Sequence, residues 1–332
     1  MLKFLLRGSL NLLKWALCAV GAAALLLTAL VATPVERPPE LASISKTAGA
    51  VDRSDMPGIE RFYGRDGTQL GYRHYAARGP ASGQIAVVVH GSSGSSVAVH
   101  ALAKGLAARG VETYAPDMRG HGASGTRGDI AYLGQLEDDL ADFVGVIRTA
   151  NPAAPLTLMG HSSGGGFALR VAASPIQNLF ARTVLLAPYL GYDAPSSRKN
   201  AGGWASPDLP RIIGLQVLRR AGIGCCEALP VLAFAVPPNS ERILVGTYTD
   251  RLMRNFAVSD FRRDFAAATK PLTIYAGASD ELMLADKYAD AVGGAAVDVK
   301  LIDGVNHMEI VSAPAAISAI AEDIAAHRVP GT

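Results

Sequence analysis

The feature that most constrains the fold of this chain is a regular alternation of two residue patterns, which begins at Ile59. Short runs rich in β-branched residues alternate with longer segments that carry apolar residues at three- and four-residue spacing. The short runs predict strands at residues 84–89, 112–115, 156–159, 183–186, 272–276 and 297–302, and the longer segments predict helices at residues 98–109, 134–149, 163–173 and 314–327. Several runs are apolar almost throughout, so their strands must be covered on both faces. The pattern predicts an α/β fold with a mostly parallel central sheet and helices on both faces.

Two stretches depart from this alternation. Residues 59–64 and 68–75 flank the turn sequence Arg65-Asp66-Gly67, which predicts an antiparallel hairpin at one edge of the sheet. Residues 189–270 carry long apolar stretches but no convincing strand, and they are too many for a plain loop. We expect an inserted helical cap there, between two neighbouring strands of the sheet.

The N-terminal segment predicts a membrane anchor. Lys3, Arg7 and Lys14 precede an uncharged run at residues 15–35, about the 20 residues that a spanning helix needs. The end of the run matches a small-x-small cleavage site poorly, which favours an uncleaved anchor over a signal peptide followed by secretion. The positive charges predict a cytoplasmic segment at residues 1–14 and a translocated domain at residues 58–332, periplasmic if the host is bacterial. Residues 36–57 are polar and contain prolines, so they predict a linker.

Composition excludes several classes of partner. The formal net charge of the 332 residues is +2 and the body of the chain holds no Lys/Arg block, so no nucleic-acid partner is expected. Three cysteines are too few and too badly spaced for a disulfide framework or a zinc site. The histidines lack paired spacing of the H-E-x-x-H kind, so we expect no metal and no cofactor. The oligomeric state stays open.

The stretch Gly160-His161-Ser162-Ser163-Gly164 lies between a predicted strand and a predicted helix. This is the context of the G-x-S-x-G elbow, in which small residues let the chain turn sharply and expose the central serine as a nucleophile. A phosphate-binding loop is the competing interpretation, but no lysine follows Gly165 or Gly166. The G-x-G-x-x-G match at residues 120–125 does not follow a strand directly, which argues against dinucleotide binding.

The residues downstream favour the nucleophile. A serine hydroxyl needs a base and a group that orients the base, and Asp280 and His307 each follow a late predicted strand. The order Ser162, Asp280, His307 is the order associated with this elbow. Asp286 and Asp250 remain alternative acids.

Five pieces of the chain, in this order, carry a family resemblance: VVVHGSSGSS, APDMRGHGASG, GHSSGG, YAGASDELM and GVNHMEI. From about Ile59 onward, the sequence resembles α/β hydrolases of the lysophospholipase and monoglyceride-lipase type, which are grouped with serine aminopeptidase-like hydrolases. The resemblance implies an α/β-hydrolase fold with an oxyanion hole formed by the backbone N–H groups of Ser163 and Ser92. It does not extend to the cap.

Other polar residues in these motifs are expected to support loops. His90 is expected to hold its loop by hydrogen bonds, and the family-like segment at residues 117–124 is expected to brace neighbouring loops through buried polar contacts. The polar side chains expected to do so are Asp117, Arg119, His121 and Ser124.

The sequence thus predicts a membrane-anchored serine hydrolase that cleaves carboxylic esters, most readily acyl esters of lipid-like alcohols, through an acyl-enzyme on Ser162. Amide or peptide cleavage, acyl transfer and cofactor-free perhydrolysis use the same three side chains and stay open. A tethered binding protein without activity is the alternative from another class.

Overall fold

The computed structural model describes residues 2–237, 240, 243–258 and 260–326. The strands are β1 (Glu60–Tyr63), β2 (Gln69–Tyr75), β3 (Ile85–Val89), β4 (Glu112–Pro116), β5 (Leu156–His161), β6 (Arg182–Leu186), β7 (Ala205–Pro207), β8 (Pro230–Phe234), β9 (Thr247–Thr249), β10 (Leu272–Gly277) and β11 (Val297–Ile302). The α-helices are α1 (Leu2–Val31), α2 (Ala42–Gly49), α3 (His100–Ala108), α4 (Gln135–Ala150), α5 (Ser163–Ala172), α6 (Leu209–Arg220), α7 (Asp250–Asn255), α8 (Phe261–Ala267), α9 (Tyr288–Val292) and α10 (Pro314–Ala326).

Eight strands form one sheet in the order β1-β2-β4-β3-β5-β6-β10-β11. β2 runs antiparallel to both of its neighbours, and the other pairs in the sheet are parallel. Every residue of β3, β5, β6 and β10 is buried, because helices cover both faces of the sheet. α3 and α10 pack on one face, and α4 and α5 pack on the other. The predicted mostly parallel sheet, its helices and its edge hairpin are confirmed.

The boundaries also agree closely. Each predicted strand and helix of the sheet domain coincides with an observed one, with ends that differ by at most two residues. The last predicted helix was placed at residues 314–327, and its final residue, 327, lies outside the described residues.

The insertion enters after β6 and returns at β10, as expected, but it is not purely helical. β7, β8 and β9 form a separate three-stranded antiparallel sheet, accompanied by α6, α7 and α8. The prediction of a cap without strands is therefore wrong. Val231, Ala233 and Phe234 of β8 are all buried, so its sequence is an apolar run without the alternation that marks a half-exposed strand. β7 and β9 have only three residues each, too few to show a period.

The N-terminal helix α1 contains a segment, Asn11–Val31, that is long and apolar enough to cross a membrane. It has 21 residues, a mean hydropathy of 1.9 and no residue buried inside the protein. The predicted run at residues 15–35 extends past the end of this helix, because Pro34 disfavours helical geometry at Thr33.

The segment predicted as a linker contains the helix α2. Ile44 of α2 is buried in the core, and the N–H of Leu41 donates to the carbonyl oxygen of Ala235 over 3.3 Å. Part of residues 36–57 therefore packs against the folded domain.

Candidate active site

Ser162 lies at the turn between β5 and α5 in a conformation that few side chains adopt. Its φ is 54° and its ψ is −119°, a strained backbone geometry for a residue other than glycine. The neighbouring glycines make the turn possible: a Cβ on Gly160 would lie 2.1 Å from the carbonyl oxygen of Gly164, and one on Gly164 would lie 2.3 Å from that of His90. The chain therefore forms the sharp elbow that the motif predicts.

The elbow is held by backbone hydrogen bonds to the next strand and the start of the cap. The N–H of Ser162 donates to the carbonyl oxygen of Leu186 at the end of β6, over 2.9 Å. The carbonyl oxygen of Ser162 accepts from the N–H of Tyr189, also over 2.9 Å. These bonds offset part of the strain at Ser162.

Asp280 and His307 follow β10 and β11, at the same edge of the sheet as Ser162. The Nδ1 of His307 lies 2.8 Å from Oδ2 of Asp280, and both side chains are buried. The ring of His307 packs against that of His161, the residue before Ser162, with ring centroids 4.9 Å apart. The structure therefore pairs Asp280 with His307 and places the ring of His307 against the residue that precedes Ser162.

The environment of Asp280 keeps it ionised. Burial disfavours the charged carboxylate. The N–H groups of Leu282 and Met283 each donate to Oδ1 over 2.8 Å, and together with His307 they outweigh the effect of burial. The pKa of Asp280 consequently lies below its ordinary value. A charged carboxylate fixes the proton of His307 on Nδ1, which leaves Nε2 free to accept one.

The two alternative acids lie elsewhere. The carboxylate of Asp250 is in the cap and pairs with Arg219, with 2.6 Å between Nη1 and Oδ2. Asp286 is exposed in a short 3-10 helix before α9. Of the three candidates, Asp280 is the one that contacts His307.

Two polar residues inside the motifs, to which the sequence analysis assigned no role, position the loop of His307. The N–H of His307 donates to Oε2 of Glu281 over 3.0 Å. Asn306 accepts from the N–H groups of Met308 and Glu309, over 3.1 and 2.9 Å. Both residues lie next to a predicted catalytic residue and inside the family-like pieces YAGASDELM and GVNHMEI, which are the sequence signals that could have identified them.

The two expected oxyanion donors lie on either side of the elbow. Ser163 is the first residue of α5, and Ser92 follows β3 in the loop that begins at Gly91. A Cβ on Gly91 would lie only 3.2 Å from Cβ of Ser162, so this loop touches the elbow. Among the described residues, neither the N–H of Ser92 nor that of Ser163 donates to an acceptor. Both are therefore available to a negatively charged oxygen.

The cap holds the loop that carries Ser92. The indole Nε1 of Trp204 donates to Oγ of Ser92 over 2.9 Å. The φ of Ser93 is 65°. Its N–H donates to the hydroxyl of Tyr248 over 2.8 Å, and its own hydroxyl donates to the carbonyl oxygen of Val245 over 2.6 Å. The N–H of Val245 in turn donates to the carbonyl oxygen of Ser93 over 2.8 Å. These four hydrogen bonds are here called the cap clasp.

A buried histidine extends the cap clasp into the sheet domain. Nδ1 of His121 lies 3.3 and 3.2 Å from the carbonyl oxygens of Met118 and Arg119, so Nδ1 carries the proton. Nε2 therefore accepts from the hydroxyl of Tyr248, over 2.5 Å. Burial holds the pKa of His121 well below its ordinary value, so the ring stays neutral and keeps this tautomer.

The supporting roles expected of the motif residues are confirmed. Each makes buried polar contacts that join its loop to another strand, helix or loop. Asp117 accepts from the N–H groups of Ser96 and Ala123, Arg119 pairs with Asp139, Ser124 accepts from the N–H of Gly71, and Nε2 of His90 accepts from the N–H of Met118. Within the described part of the chain, no group of three or more His, Cys, Asp or Glu side chains could hold a metal ion.

Comparisons with known proteins agree with this geometry. A monoacylglycerol lipase of Mycolicibacterium smegmatis is 33% identical over 90 residues, which are 27% of this chain and 32% of that protein. The human monoglyceride lipase is 30% identical over 151 residues, 45% of this chain and 48% of that protein. The matches thus span about a third to a half of these relatives.

Solved structures match over more of the chain. A soluble variant of the monoglyceride lipase of Saccharomyces cerevisiae, bound to a substrate analogue, gives a TM-score of 0.63 at 16% identity over 82% of this chain and 95% of that one. A membrane phospholipase A gives 0.53 at 14% identity over 97% and 99%. Residues 80–311, more than half of the chain, match the family Hydrolase_4 (serine aminopeptidase, S33). The chain belongs to this family of α/β hydrolases.

Proposed function

We propose that this protein is a membrane-anchored serine hydrolase that cleaves carboxylic esters through an acyl-enzyme on Ser162. The observation that carries the proposal is the position of the strained Ser162 elbow beside the buried pair of His307 and Asp280. A strained serine, a histidine with Nδ1 bound to a carboxylate, and two unpaired N–H groups are the parts that acyl transfer requires.

In the proposed reaction, Nε2 of His307 takes the proton of Ser162 as Oγ forms a bond to the ester carbonyl carbon. Asp280 stabilises the imidazolium that results. The N–H groups of Ser92 and Ser163 stabilise the negative charge that develops on the carbonyl oxygen. The carbon–oxygen bond to the alcohol then breaks, and His307 gives the alcohol its proton. Water repeats the sequence on the acyl-enzyme and releases the carboxylic acid.

We propose that the substrates are acyl esters of lipid-like alcohols. The similar proteins of Mycolicibacterium smegmatis and human are named as lipases of monoacylglycerols, which supports this substrate class. The cap supports it too, because its apolar side chains Trp204 and Leu232 are only partly buried, and Trp204 reaches the loop of Ser92. Amide cleavage and acyl transfer use the same triad, so the assay compares esters with amides of the same acyl group.

We propose further that α1 anchors the chain in a membrane with the catalytic domain translocated. The span Asn11–Val31 and the positive residues before it support this topology. Contacts between the end of α1 and the cap support an anchor that is retained, since cleavage there would remove them. The likeness to the membrane phospholipase A, which covers nearly the whole chain, is consistent with it.

The test of the nucleophile is labelling of the full chain with a fluorophosphonate probe, combined with turnover of p-nitrophenyl esters. We expect Ser162→Ala to abolish labelling and nearly all turnover without lowering the unfolding temperature, because the triad acts as a unit. Ser174→Ala, just beyond the end of α5, is the matched control and should be labelled like the wild type. A folded Ser162→Ala protein that still turns over esters would contradict the triad, and a wild-type chain that is never labelled would favour a binding protein.

A further inference from the structure

The end of the N-terminal helix is fastened to the cap by polar side chains. Oγ1 of Thr33 donates to the carboxylate of Asp208, over 2.8 Å to Oδ1 and 2.9 Å to Oδ2. Arg211 donates from Nε to the carbonyl oxygen of Val31 over 2.8 Å and from a terminal nitrogen to that of Thr33. Asp208 and Arg211 are both buried, and both belong to the first turn of α6 or its N-cap.

The two helices also touch directly. A Cβ on Gly214 of α6 would lie 3.0 Å from Cγ2 of Val31 and 3.1 Å from Cβ of Leu30. The absence of a side chain at Gly214 therefore lets α6 lie against the last turn of α1. Packing and hydrogen bonds, in addition to the covalent chain, therefore position the cap relative to α1.

This contact fixes the depth of α6 relative to the proposed membrane. The span Asn11–Val31 has 21 residues, and a helix of that length covers about 30 Å, the thickness of a hydrocarbon core. Val31 therefore lies where the hydrocarbon gives way to headgroups. Since Arg211 and Gly214 contact the last turn of the span, α6 lies at that boundary.

The exposed face of α6 carries large apolar side chains together with Gln216 and Arg220. Leu209, Ile213 and Val217 are 59%, 52% and 42% exposed, and their four-residue spacing places them on one face of the helix. Ile223, 48% exposed, follows in an uncharged turn at residues 221–226. We call Leu209, Ile213 and Val217 the apolar stripe. Together with Ile223, it makes four large exposed apolar side chains on the element that packs against the end of the span.

We propose that the apolar stripe of α6 inserts into the surface of the membrane that anchors α1. This inference rests on the proposed membrane anchoring. The lipid surface is the occupant that the geometry favours, because α6 packs against the last turn of the exposed helix α1 and so begins at the depth where the span ends. An amphipathic helix at this depth buries its apolar face between headgroups and acyl chains. The cap would then rest on the membrane. The hydrogen bonds of Asp208 and Arg211 to the end of α1 would prevent the cap from rotating away from the membrane.

The first test measures depth in the full chain, reconstituted in vesicles of phosphatidylcholine and phosphatidylglycerol. In a background with Cys18, Cys225 and Cys226 replaced by serine, a single cysteine carries an environment-sensitive NBD fluorophore. The three label positions are Ile213→Cys on the stripe, Leu25→Cys in the span and Val146→Cys, an exposed apolar position on α4. We expect blue-shifted emission at the first two, quenching at position 213 by lipids with a nitroxide near the headgroups, and a water-like signal at position 146.

Each of the other outcomes contradicts either the docking of the apolar stripe or the membrane anchor. A water-like signal at position 213 with lipid burial at position 25 overturns the docking of the stripe and leaves the anchor intact. A water-like signal at both overturns the anchor and the docking together. A blue-shifted signal at position 213 that the nitroxide lipids do not quench means that protein, such as a second copy of the chain, covers the stripe, and it also overturns the proposal.

The second test separates docking from chemistry. We expect the double variant Ile213→Glu/Val217→Glu to lower turnover of a long-chain ester embedded in vesicles by at least about tenfold, because charge replaces side chains that would enter lipid. Turnover of a water-soluble acetyl ester should change by less than about twofold, because the catalytic residues are untouched. Val146→Glu is the control for added surface charge. Equal vesicle turnover in the double variant and the control overturns the docking, whereas a wild-type chain that cleaves neither ester contradicts the proposed hydrolase itself.

Discussion

Replacing Tyr248 by phenylalanine tests whether the cap clasp positions the oxyanion hole. The change keeps the ring, which packs against Phe234 with centroids 4.6 Å apart, and removes only the hydroxyl. That hydroxyl accepts from the N–H of Ser93 and donates to Nε2 of His121. Ser93 is the residue after Ser92, so the loss of this bond acts directly on the loop that carries a proposed oxyanion donor.

The expected size of the effect follows from these contacts. Ser93 and His121 are both almost completely buried, so each would keep a polar group without a partner. One such group costs about 1–3 kcal/mol, so the two together should lower the free energy of unfolding by about 2–6 kcal/mol. Removal of an oxyanion donor lowers kcat about 100- to 1000-fold. Here the donor is displaced and not removed, so we expect kcat to fall about 10- to 100-fold.

The assay combines urea denaturation with turnover of a p-nitrophenyl ester. Tyr75→Phe is the matched control, because the hydroxyl of Tyr75 is also buried and pairs with a histidine ring, at 3.0 Å from Nδ1 of His100. The control should lose about 1–3 kcal/mol of stability and keep kcat within about twofold. If Tyr248→Phe were destabilised but retained the kcat of the control, the cap would not position the oxyanion hole.

Three further predictions concern the triad, acid stability and the cap. Asp280→Asn should lower kcat about 10⁴-fold with little change in fold, because an amide favours the wrong tautomer of His307; wild-type turnover would place the acid elsewhere. Burial lowers the pKa of His161 from 6.5 to about 3, so the unfolded chain binds a proton that the folded chain does not. His161 should therefore contribute about 1.4 kcal/mol per pH unit to the fall in the free energy of unfolding between about pH 6.5 and pH 3, and His161→Gln should reduce the slope by that amount in urea titrations. The kcat/KM for p-nitrophenyl esters should rise from acetyl to octanoyl by up to about fourfold per methylene, and Leu232→Ala should flatten the rise; a preference for acetate would show that the cap does not bind the acyl chain.

The sheet domain could be predicted because short stretches of sequence determine its strands and its elbow. The central strands β3, β5, β6 and β10 are largely apolar and buried throughout, and the turn at Ser162 needs small residues at Gly160 and Gly164, which a five-residue motif records. Since parallel strands end at one edge of the sheet, Asp280 and His307 could be placed near Ser162 from chain order alone. The contacts in the structure agree with that placement.

The cap and its attachments could not be predicted because they depend on pairs of residues far apart in the chain. Thr33 and Asp208 are 175 positions apart, and Ser93 and Tyr248 are 155 apart. No local pattern marks either pair, and the strands that bring Tyr248 to Ser93 are too short to show a period. Physical complementarity between distant segments, rather than propensity, determines this part of the molecule.

The order of the strands along the chain determines when the predicted catalytic residues can come together during synthesis. Ser162 follows the fifth strand of the chain, whereas Asp280 and His307 follow the last two, which add to the sheet beside β6. During synthesis the chain emerges from its N-terminus, so a nascent chain that ends before β10 carries the serine without its base or its acid. In the proposed mechanism, hydrolysis begins only after the C-terminal strands have docked. For the proposed lipid hydrolase with a translocated domain, this order would keep the nucleophile inert until the last two strands are in place.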